Sequence, residues 1–253
     1  MFTNRRKHEF LAPEFQTYWV SLAFQAGFVN TGGFLACARF VSHMTGFGTQ
    51  VGISFSQGNY LLAFEMLSAP LSFVLGAMVS ALAIDRPIVR SQPPHYLLVM
   101  LLIVTVYLGI AVAAAVGLFG RFGEELLYTR DFILMALLCF ACGVQNACFS
   151  SLTRGQIRTT HLTGILTDIG ISIVKIGYLP PLARETKVLR RLNYVRMITV
   201  LGFALGASIS ALLFSRLEYL AFFVPVGTSG ALFCAMSIRA RQRERRRRLA
   251  MVG

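Results

Sequence analysis

The sequence has few charged residues, and acidic residues are the scarcer of the two kinds. Charged residues make up 14% of the 253 positions, with 11 acidic residues against 24 basic ones. In soluble globular domains charged residues typically make up about a quarter of the chain. This scarcity, together with a mean hydropathy of +0.63, excludes an ordinary soluble protein.

Metal-binding and catalytic patterns are also missing from the sequence. The five cysteines all lie in apolar stretches, and only Cys139 and Cys142 have a C-x-x-C spacing. With no further ligand nearby in the sequence, they are expected to be small packing residues. The sequence contains no phosphate-binding loop, which argues against ATP-driven transport by this chain alone. It also pairs no nucleophile with a base, so we predict neither an enzyme nor a bound cofactor.

Long uncharged stretches are what the sequence does contain. Residues 96–120, 132–153, 197–215 and 219–238 hold no charged side chain. About 20 apolar residues in a helix cross a bilayer core of about 30 Å. The pattern predicts an all-α fold, a polytopic transmembrane helix bundle. Helical segments are expected at residues 17–38, 44–58, 60–84, 96–119, 131–153, 162–179, 194–215 and 218–238.

The net charge of +13 is concentrated beside these segments. Basic residues cluster at 5–7, at 184–196 and at 239–248, as the positive-inside rule describes for cytoplasmic loops and tails. The expected partner is therefore the lipid bilayer and not a nucleic acid. The polar start of the chain lacks the features of a cleavable signal peptide, and both termini are expected in the cytoplasm.

An internal repeat divides the chain into two similar halves. Residues 43–54 and 161–172 share the pattern H-x-T-G-x-x-T-x-x-G-I-S. Downstream of each, F-x-L-G-A-x-x-S-A-L occurs at 73–82 and again at 203–212, and the G-x-x-x-S within it is expected to pack helices closely. Upstream, Gly27-x-x-Asn30 is repeated as Gly143-x-x-Asn146. Three matches in the same order indicate two pseudo-symmetric copies of a four-segment unit. The predicted divisions are a tail at 1–16, a first repeat at 17–119, a loop at 120–130, a second repeat at 131–238 and a basic tail at 239–253.

The two copies can cross the membrane in the same direction or in opposite directions. Four spans per copy give eight spans and parallel halves, whereas three spans and one half-crossing segment give six spans and inverted halves. The second and sixth segments are the short or polar ones, so they are expected to be partly re-entrant. With six spans, 19 basic residues face the cytoplasm and 4 face the opposite side. With eight spans, 17 face the cytoplasm and 6 face the opposite side. The counts favour inversion slightly and leave both arrangements open.

Repeated polar residues mark the expected solute site, because polar groups within a bilayer rarely face lipid. Most of them fall where the two short segments begin, and a helix start carries unpaired N–H groups and partial positive charge. Such an end suits a polar or anionic solute, although helix capping and tight packing explain a Thr-Gly pair equally well. The candidate residues are Asn30, His43, Thr45, Gly46, Thr49, Gln145, Asn146, His161, Thr163, Gly164, Thr167 and Asp168.

Three charged side chains lie within predicted segments and are candidates for ion coupling. Asp168 and Lys175 are seven residues apart, so they share a helix face and can form an ion pair. Lys175 can instead extend toward the lipid headgroups. Glu65 lies in the third segment, where a carboxylate is a candidate carrier of a coupling proton.

These motifs resemble the YoaK family, a group of small bacterial membrane proteins of unknown function. The matching stretches are GFVNTGGFL at 27–35, HMTG at 43–46, FVLGA at 73–77, GVQNA at 143–147 and TTHLTG at 159–164. The resemblance implies a multi-span protein of the bacterial inner membrane and no established substrate. The family usually has aspartate where Asn30 stands and asparagine where Phe47 stands, which implies a changed activity if those groups serve the family's function.

Two classes of function fit these observations. Duplicated halves with polar helix starts favour a small secondary transporter or permease for a polar or anionic solute. The alternative is a non-transporting scaffold, assembly factor or lipid-interacting protein, since duplication alone does not require transport. A transporter is expected to bring the two helix starts together at a central cavity, whereas a scaffold is expected to pack them solidly. The sequence does not indicate an oligomeric state.

Overall fold

A computed structural model describes residues 11–123, 129–156 and 160–250. Parts of the two predicted tails, of the inter-repeat loop and of the stretch at 159–164 lie outside the described residues. The predicted all-α fold is confirmed. The helices are α1 (Pro13–Cys37), α2 (Met44–Ser56), α3 (Tyr60–Val89), α4 (Tyr96–Ala115), α5 (Thr129–Thr153), α6 (Leu162–Tyr178), α7 (Arg184–Leu217) and α8 (Phe223–Ala250), with a short 3-10 helix at Glu218–Phe222 between α7 and α8.

Five segments of the described chain are long and apolar enough to cross a bilayer. They are Phe15–Cys37, Tyr60–Val89, Tyr96–Ala115, Phe132–Thr153 and Arg184–Gln242. The last contains α7 and most of α8, so it is much longer than the roughly 20 residues of a single crossing. Helices of this length and composition are those of an integral membrane protein.

Several helix ends extend beyond their predicted positions, and α1 begins at Pro13, within the predicted tail at 1–16. α3 continues through Pro87 to Val89, α7 begins at Arg184 and not at residue 194, and α8 continues into the basic tail. Proline has no N–H to donate to the fourth residue before it. The carbonyl that Pro87 leaves free belongs to Ala83, and it accepts a hydrogen bond of 3.0 Å from the backbone N–H of His95. This bond ties the start of α4 to α3.

α1 and α7 form a close pair and run in the same direction. A Cβ atom added to Gly206 would overlap the carbonyl oxygen of Phe24. One turn further along both helices, the Ser210 hydroxyl donates a 2.7 Å hydrogen bond to the carbonyl oxygen of Phe28. Small residues permit this approach, so the predicted packing role of the G-x-x-x-S motif in α7 is confirmed.

α3 and α5 form the second close pair and also run in the same direction. A Cβ atom added to Gly76 would overlap the carbonyl oxygen of Phe140. Further along both helices, the Ser151 hydroxyl donates a 2.8 Å hydrogen bond to the Asp85 carboxylate. By the sequence repeat, Gly76 and Phe140 occupy the positions that Gly206 and Phe24 occupy in the first pair.

At each of these two crossings, the partner helix also contributes a glycine. Gly27 in α1 lies against the carbonyl oxygen of Phe203, and Gly143 in α5 lies against that of Phe73. Each crossing therefore has a glycine on both helices, and the two crossings use equivalent residues. In these two pairs, a helix from the first half of the chain packs against a helix from the second half.

α1 and α5 lie side by side at the centre of the bundle and run in opposite directions. Near the start of α1 the ring of Trp19 contacts that of Phe149, near the end of α5, with centroids 4.8 Å apart. Further along α1, the Gln25 amide donates to Gln145, which precedes Phe149 on α5, at 2.9 Å. α4 and α8 pack against each other and cover one side of this central pair.

Candidate functional site

The first short helix, α2, begins beside α1 and not beyond the end of α1. The chain reverses at Ala38, which has a positive φ of 52°. Ser42 then returns to Asn30, whose side-chain oxygen accepts hydrogen bonds from the Ser42 N–H at 3.1 Å and hydroxyl at 2.8 Å. Asn30 precedes the last residue of α1, Cys37, by about two turns, or about 10 Å. The start of α2 is therefore about 10 Å below the end of α1.

The glycine of each His-x-Thr-Gly motif makes room for the histidine before it. A Cβ atom added to Gly46 would lie 2.9 Å from Nδ1 of His43, and one added to Gly164 would lie 2.6 Å from Nδ1 of His161. Both histidines occupy the N-cap position, so each ring lies over the first helical turn. The imidazole rings therefore occupy the space beside the two glycines, where a solute was expected to approach the helix start.

Six polar side chains of the predicted site, three at each short helix, lie on the surface of the chain. Exposed side chains from the predicted site are His43, Thr45, Thr49, His161, Thr163 and Thr167. The hydroxyls of Thr49 and Thr167 donate to the carbonyl oxygens of Thr45 and Thr163, at 3.2 and 2.9 Å. The equivalent threonines thus make the same bond in both copies. Polar side chains at this depth require contact with water or protein, because lipid offers them no hydrogen bonds.

The two helix starts do not form a packed pair within the described part of the chain. α2 packs against α3 and α6 packs against α7, whereas the centre is occupied by α1 and α5. The expected meeting of the two starts at a central cavity is therefore not observed. The physical reason is that α1 and α5 are joined there by side-chain hydrogen bonds.

A buried network of hydrogen bonds occupies the centre of the bundle. Gln25 donates to Gln145 at 2.9 Å, and Gln145 donates to the carbonyl oxygen of Leu22 at 2.8 Å. The hydroxyls of Thr228 and Ser229 donate to the Gln25 side-chain oxygen at 2.8 and 2.9 Å. Of the predicted site residues, only Gln145 belongs to this network. Gln25 was missed because the equivalent residue of the second copy is an alanine, so no repeated motif marks it.

Asn146 differs from its counterpart Asn30 in having a free acceptor. Its side-chain oxygen is buried and has no hydrogen-bond partner among the described residues, whereas that of Asn30 accepts two bonds from Ser42. A buried acceptor without a donor is costly. Among the predicted polar residues, Asn146 therefore has an unused capacity to bind a donor group.

Asp168 pairs with Arg196, which the sequence analysis counts with the basic cluster at 184–196. Arg196 lies within α7 and is only 8% exposed. It donates to the Asp168 carboxylate at 2.8 Å, to the Ser172 hydroxyl at 3.0 Å and to the Asn193 side chain at 3.2 Å. The proposed Asp168–Lys175 pair is therefore wrong, because Arg196 reaches Asp168 from the facing helix while the Lys175 side chain is exposed.

The remaining candidates do not assemble into a metal or coupling centre. Glu65 is half-buried on α3, and its role in coupling stays a prediction. Across residues 11–123, 129–156 and 160–250, no three His, Cys, Asp or Glu side chains are grouped so that they could hold a metal ion.

Comparison with known proteins identifies one family and no characterised relative. A family described as "Protein of unknown function (DUF1275)" matches residues 18–235. No curated protein and no solved structure matches the chain. The matched region contains both copies of the repeat, the central network and the Asp168–Arg196 pair. The chain therefore belongs to the DUF1275 family of membrane proteins, which is the family of the YoaK resemblance.

Proposed function

We propose that the protein is a small secondary transporter or permease for a polar or anionic solute. In this proposal six helices span the membrane, α2 and α6 cross half of it, and the two copies have inverted orientations. The antiparallel contact of α1 with α5 supports inversion, since these two helices begin equivalent copies. Inverted repeats with interrupted helices are a common transporter architecture.

The proposed arrangement also agrees with the distribution of basic residues. α8 runs opposite to α1, because Arg239, late in α8, stacks 4.9 Å from the ring of Tyr18, early in α1. The start of α1, the start of α7 and the end of α8 then share one side, together with most of the basic residues. By the positive-inside rule we assign this side to the cytoplasm of a bacterial inner membrane.

The position of the α2 start is the observation that carries the proposal. Interrupted backbone at membrane depth is tolerated where it lines a water-filled cavity or is buried in protein. His43 and Thr45 are exposed there, so a cavity would give them water. The proposal therefore replaces the single central cavity expected from the sequence by two separate ones, because the two helix starts do not meet. Each short helix would line a cavity open to its own side of the membrane, with its positive end toward an anionic or polar solute. Asn146 would supply a hydrogen-bond acceptor. No chemical step and no cofactor form part of the proposal.

A non-transporting scaffold or assembly factor is the second candidate. The hydrogen bonds that Gln145 makes with Gln25 and with the carbonyl oxygen of Leu22 favour a scaffold. They hold α1 against α5 at the centre of the bundle, where a solute pathway was expected. In that case a partner protein would cover the exposed polar faces of α2 and α6.

The glycines of the short helices provide a test of the first candidate. Replacing both Gly46 and Gly164 by leucine is expected to abolish transport while the protein still inserts, because each leucine displaces the histidine ring over the helix start. Gly52 and Gly170 are the matched control, since they lie in the same helices with no atom near the position of an added Cβ. Transport is measured as current in proteoliposomes offered inorganic phosphate, sulfate and short carboxylates.

The two double variants distinguish the two candidates. The proposal requires a protein-dependent current with at least one of these anions, retained in the Gly52→Leu/Gly170→Leu variant and lost in the Gly46→Leu/Gly164→Leu variant. Equal currents in both variants would show that the helix starts are not the site. Absence of any protein-dependent current would favour the scaffold.

A further inference from the structure

A cavity of about 590 Å³ opens between the end of α3 and the start of α4. It is distinct from both short helices and from the central glutamines, and nothing in the transport proposal uses it. Its lining is divided between cationic and apolar side chains. Arg86, Arg90 and His95 line it together with Leu82 and Leu98.

The cationic part of the lining lacks an anionic partner. Arg86 and Arg90 are one helical turn apart near the end of α3, and both are exposed. In the part of the chain that the structure describes, no ion pair or side-chain hydrogen bond engages either guanidinium group. The adjacent carboxylate, Asp85, accepts a 2.8 Å hydrogen bond from Ser151 on α5. Two guanidinium groups on one face suit a phosphate group, which accepts several charge-assisted hydrogen bonds.

The apolar part of the lining extends from the arginines toward the membrane interior. Leu82 and Leu98 are 58% and 57% exposed, and Val79 is 38% exposed. Val79 lies about two turns, or about 10 Å, before Arg86 on α3. The cavity therefore presents cations at one end and an apolar wall at membrane depth at the other.

The backbone of this region is fixed by the bond between His95 and Ala83. The carbonyl oxygen of Ala83, to which Pro87 cannot donate, accepts a 3.0 Å hydrogen bond from the backbone N–H of His95. This bond keeps α3 and α4, the two walls of the cavity, in place. The cavity thus has a defined backbone frame in addition to its lining.

The equivalent region of the second copy is built differently. Arg216 occupies the position that corresponds to Arg86, but the 3-10 helix follows α7 directly. Tyr219 and Phe222 of this helix are 9% and 0% exposed, so they fill the space with buried aromatic rings. The open, cationic cavity is therefore particular to the first copy.

We propose that this cavity binds an anionic phospholipid on the cytoplasmic side of the membrane. The lipid phosphate would lie between Arg86 and Arg90, and an acyl chain would follow Leu82 and Leu98. A soluble phosphate compound would use the same arginines, but it would gain nothing from the apolar wall. The assignment of the side rests on the proposed topology, whereas binding itself does not depend on transport.

The test is native mass spectrometry of the purified protein with phosphatidylglycerol and with phosphatidylcholine. Replacing both Arg86 and Arg90 by glutamine is expected to weaken phosphatidylglycerol binding by about 10-fold or more, because charge-assisted hydrogen bonds are lost. Phosphatidylcholine has the same phosphate beside a quaternary ammonium group that the two guanidinium groups repel, so it is expected to bind the unsubstituted protein more weakly and to lose less on substitution. The matched control is Arg190→Gln/Arg191→Gln, which removes two exposed charges from the same side of the chain.

A competition arm separates the lipid from a soluble anion. Millimolar inorganic phosphate is expected to leave phosphatidylglycerol bound, since it cannot replace the acyl-chain contact. Displacement by inorganic phosphate, or equal weakening by both pairs of substitutions, would overturn the proposal. Thermal unfolding of each variant in detergent verifies that the protein is folded, so a loss of binding can be attributed to the cavity.

Discussion

Replacing Gly206 by alanine is expected to lower the stability of the folded bundle by about 3 kcal/mol, because overpacking of a close contact costs about that much. The added methyl group would overlap the carbonyl oxygen of Phe24, which belongs to the backbone of α1 and cannot rotate away. α1 and α7 must therefore separate. The loss is measured as a lower midpoint of thermal unfolding and a lower folded yield in detergent.

Gly109 provides the matched control for this substitution. It lies within α4, and in the described part of the chain no neighbouring helix comes within 4 Å of an added Cβ. Alanine at this position is expected to be neutral or to stabilise slightly, since glycine is a poor helix former. Gly76→Ala should resemble Gly206→Ala, because Gly76 meets the backbone of α5 at Phe140 in the same way. If Gly206→Ala were as stable as Gly109→Ala, the close crossing of α1 with α7 would be contradicted.

The second large effect on stability is expected when one partner of the Asp168–Arg196 ion pair is replaced. Replacing Asp168 by glutamine leaves a buried guanidinium group without its counter-charge, which we expect to cost about 2 kcal/mol. This is less than for a fully buried pair, because the Asp168 side chain is 48% exposed. The first copy has Gln50 and Met66 at the equivalent positions. The double variant Asp168→Gln/Arg196→Met copies this arrangement and is expected to regain the lost stability.

The double variant also separates a structural role from a role in transport. Its folding is compared with that of each single variant by thermal unfolding, and its activity is measured in the proteoliposome assay. We expect a folded protein with reduced transport, because the charged pair connects α6 to α7 beside the second helix start. Full transport in the folded double variant would mean that the pair serves stability alone. Normal stability of Asp168→Gln alone would contradict the energetic argument.

The sequence predicted features that depend on hydropathy and on repetition. Long uncharged runs located the long helices, since a bilayer requires continuous apolar surface. The repeated L-G-A motif located the glycine contacts, because a small residue is needed wherever two backbones meet. Segments two and six were identified as unusual from their length and polarity. All of these signals are local, so they can be read along a single chain.

Features that depend on partners from distant helices were not predicted. Arg196 lies at the start of the predicted segment 194–215 and counts as one more residue of the basic cluster at 184–196, until α7 is known to begin at Arg184 and to place it against α6. Gln25 lacks a repeated counterpart, and its partners lie on α5 and α8. The sequence also does not show that the His43 ring folds back over the helix start beside Gly46; the role of Gly46 in a solute site stays a prediction. Each of these features concerns where a side chain points, and hydropathy carries no such information.

The inverted arrangement of the two copies is tested most directly by cysteine labelling of two equivalent loops. Gln57, after α2, and Leu182, after α6, are both exposed. Each is replaced by cysteine in a variant with Cys234→Ser, which removes the exposed native cysteine. A membrane-impermeant maleimide is then applied to spheroplasts before and after permeabilisation.

Our account predicts that Gln57→Cys is labelled in intact spheroplasts and that Leu182→Cys is labelled only after permeabilisation. Labelling of both cysteines from the same side would mean that the two copies are parallel. That result would contradict the six-span arrangement and the proposal that α2 and α6 enter the membrane from opposite sides.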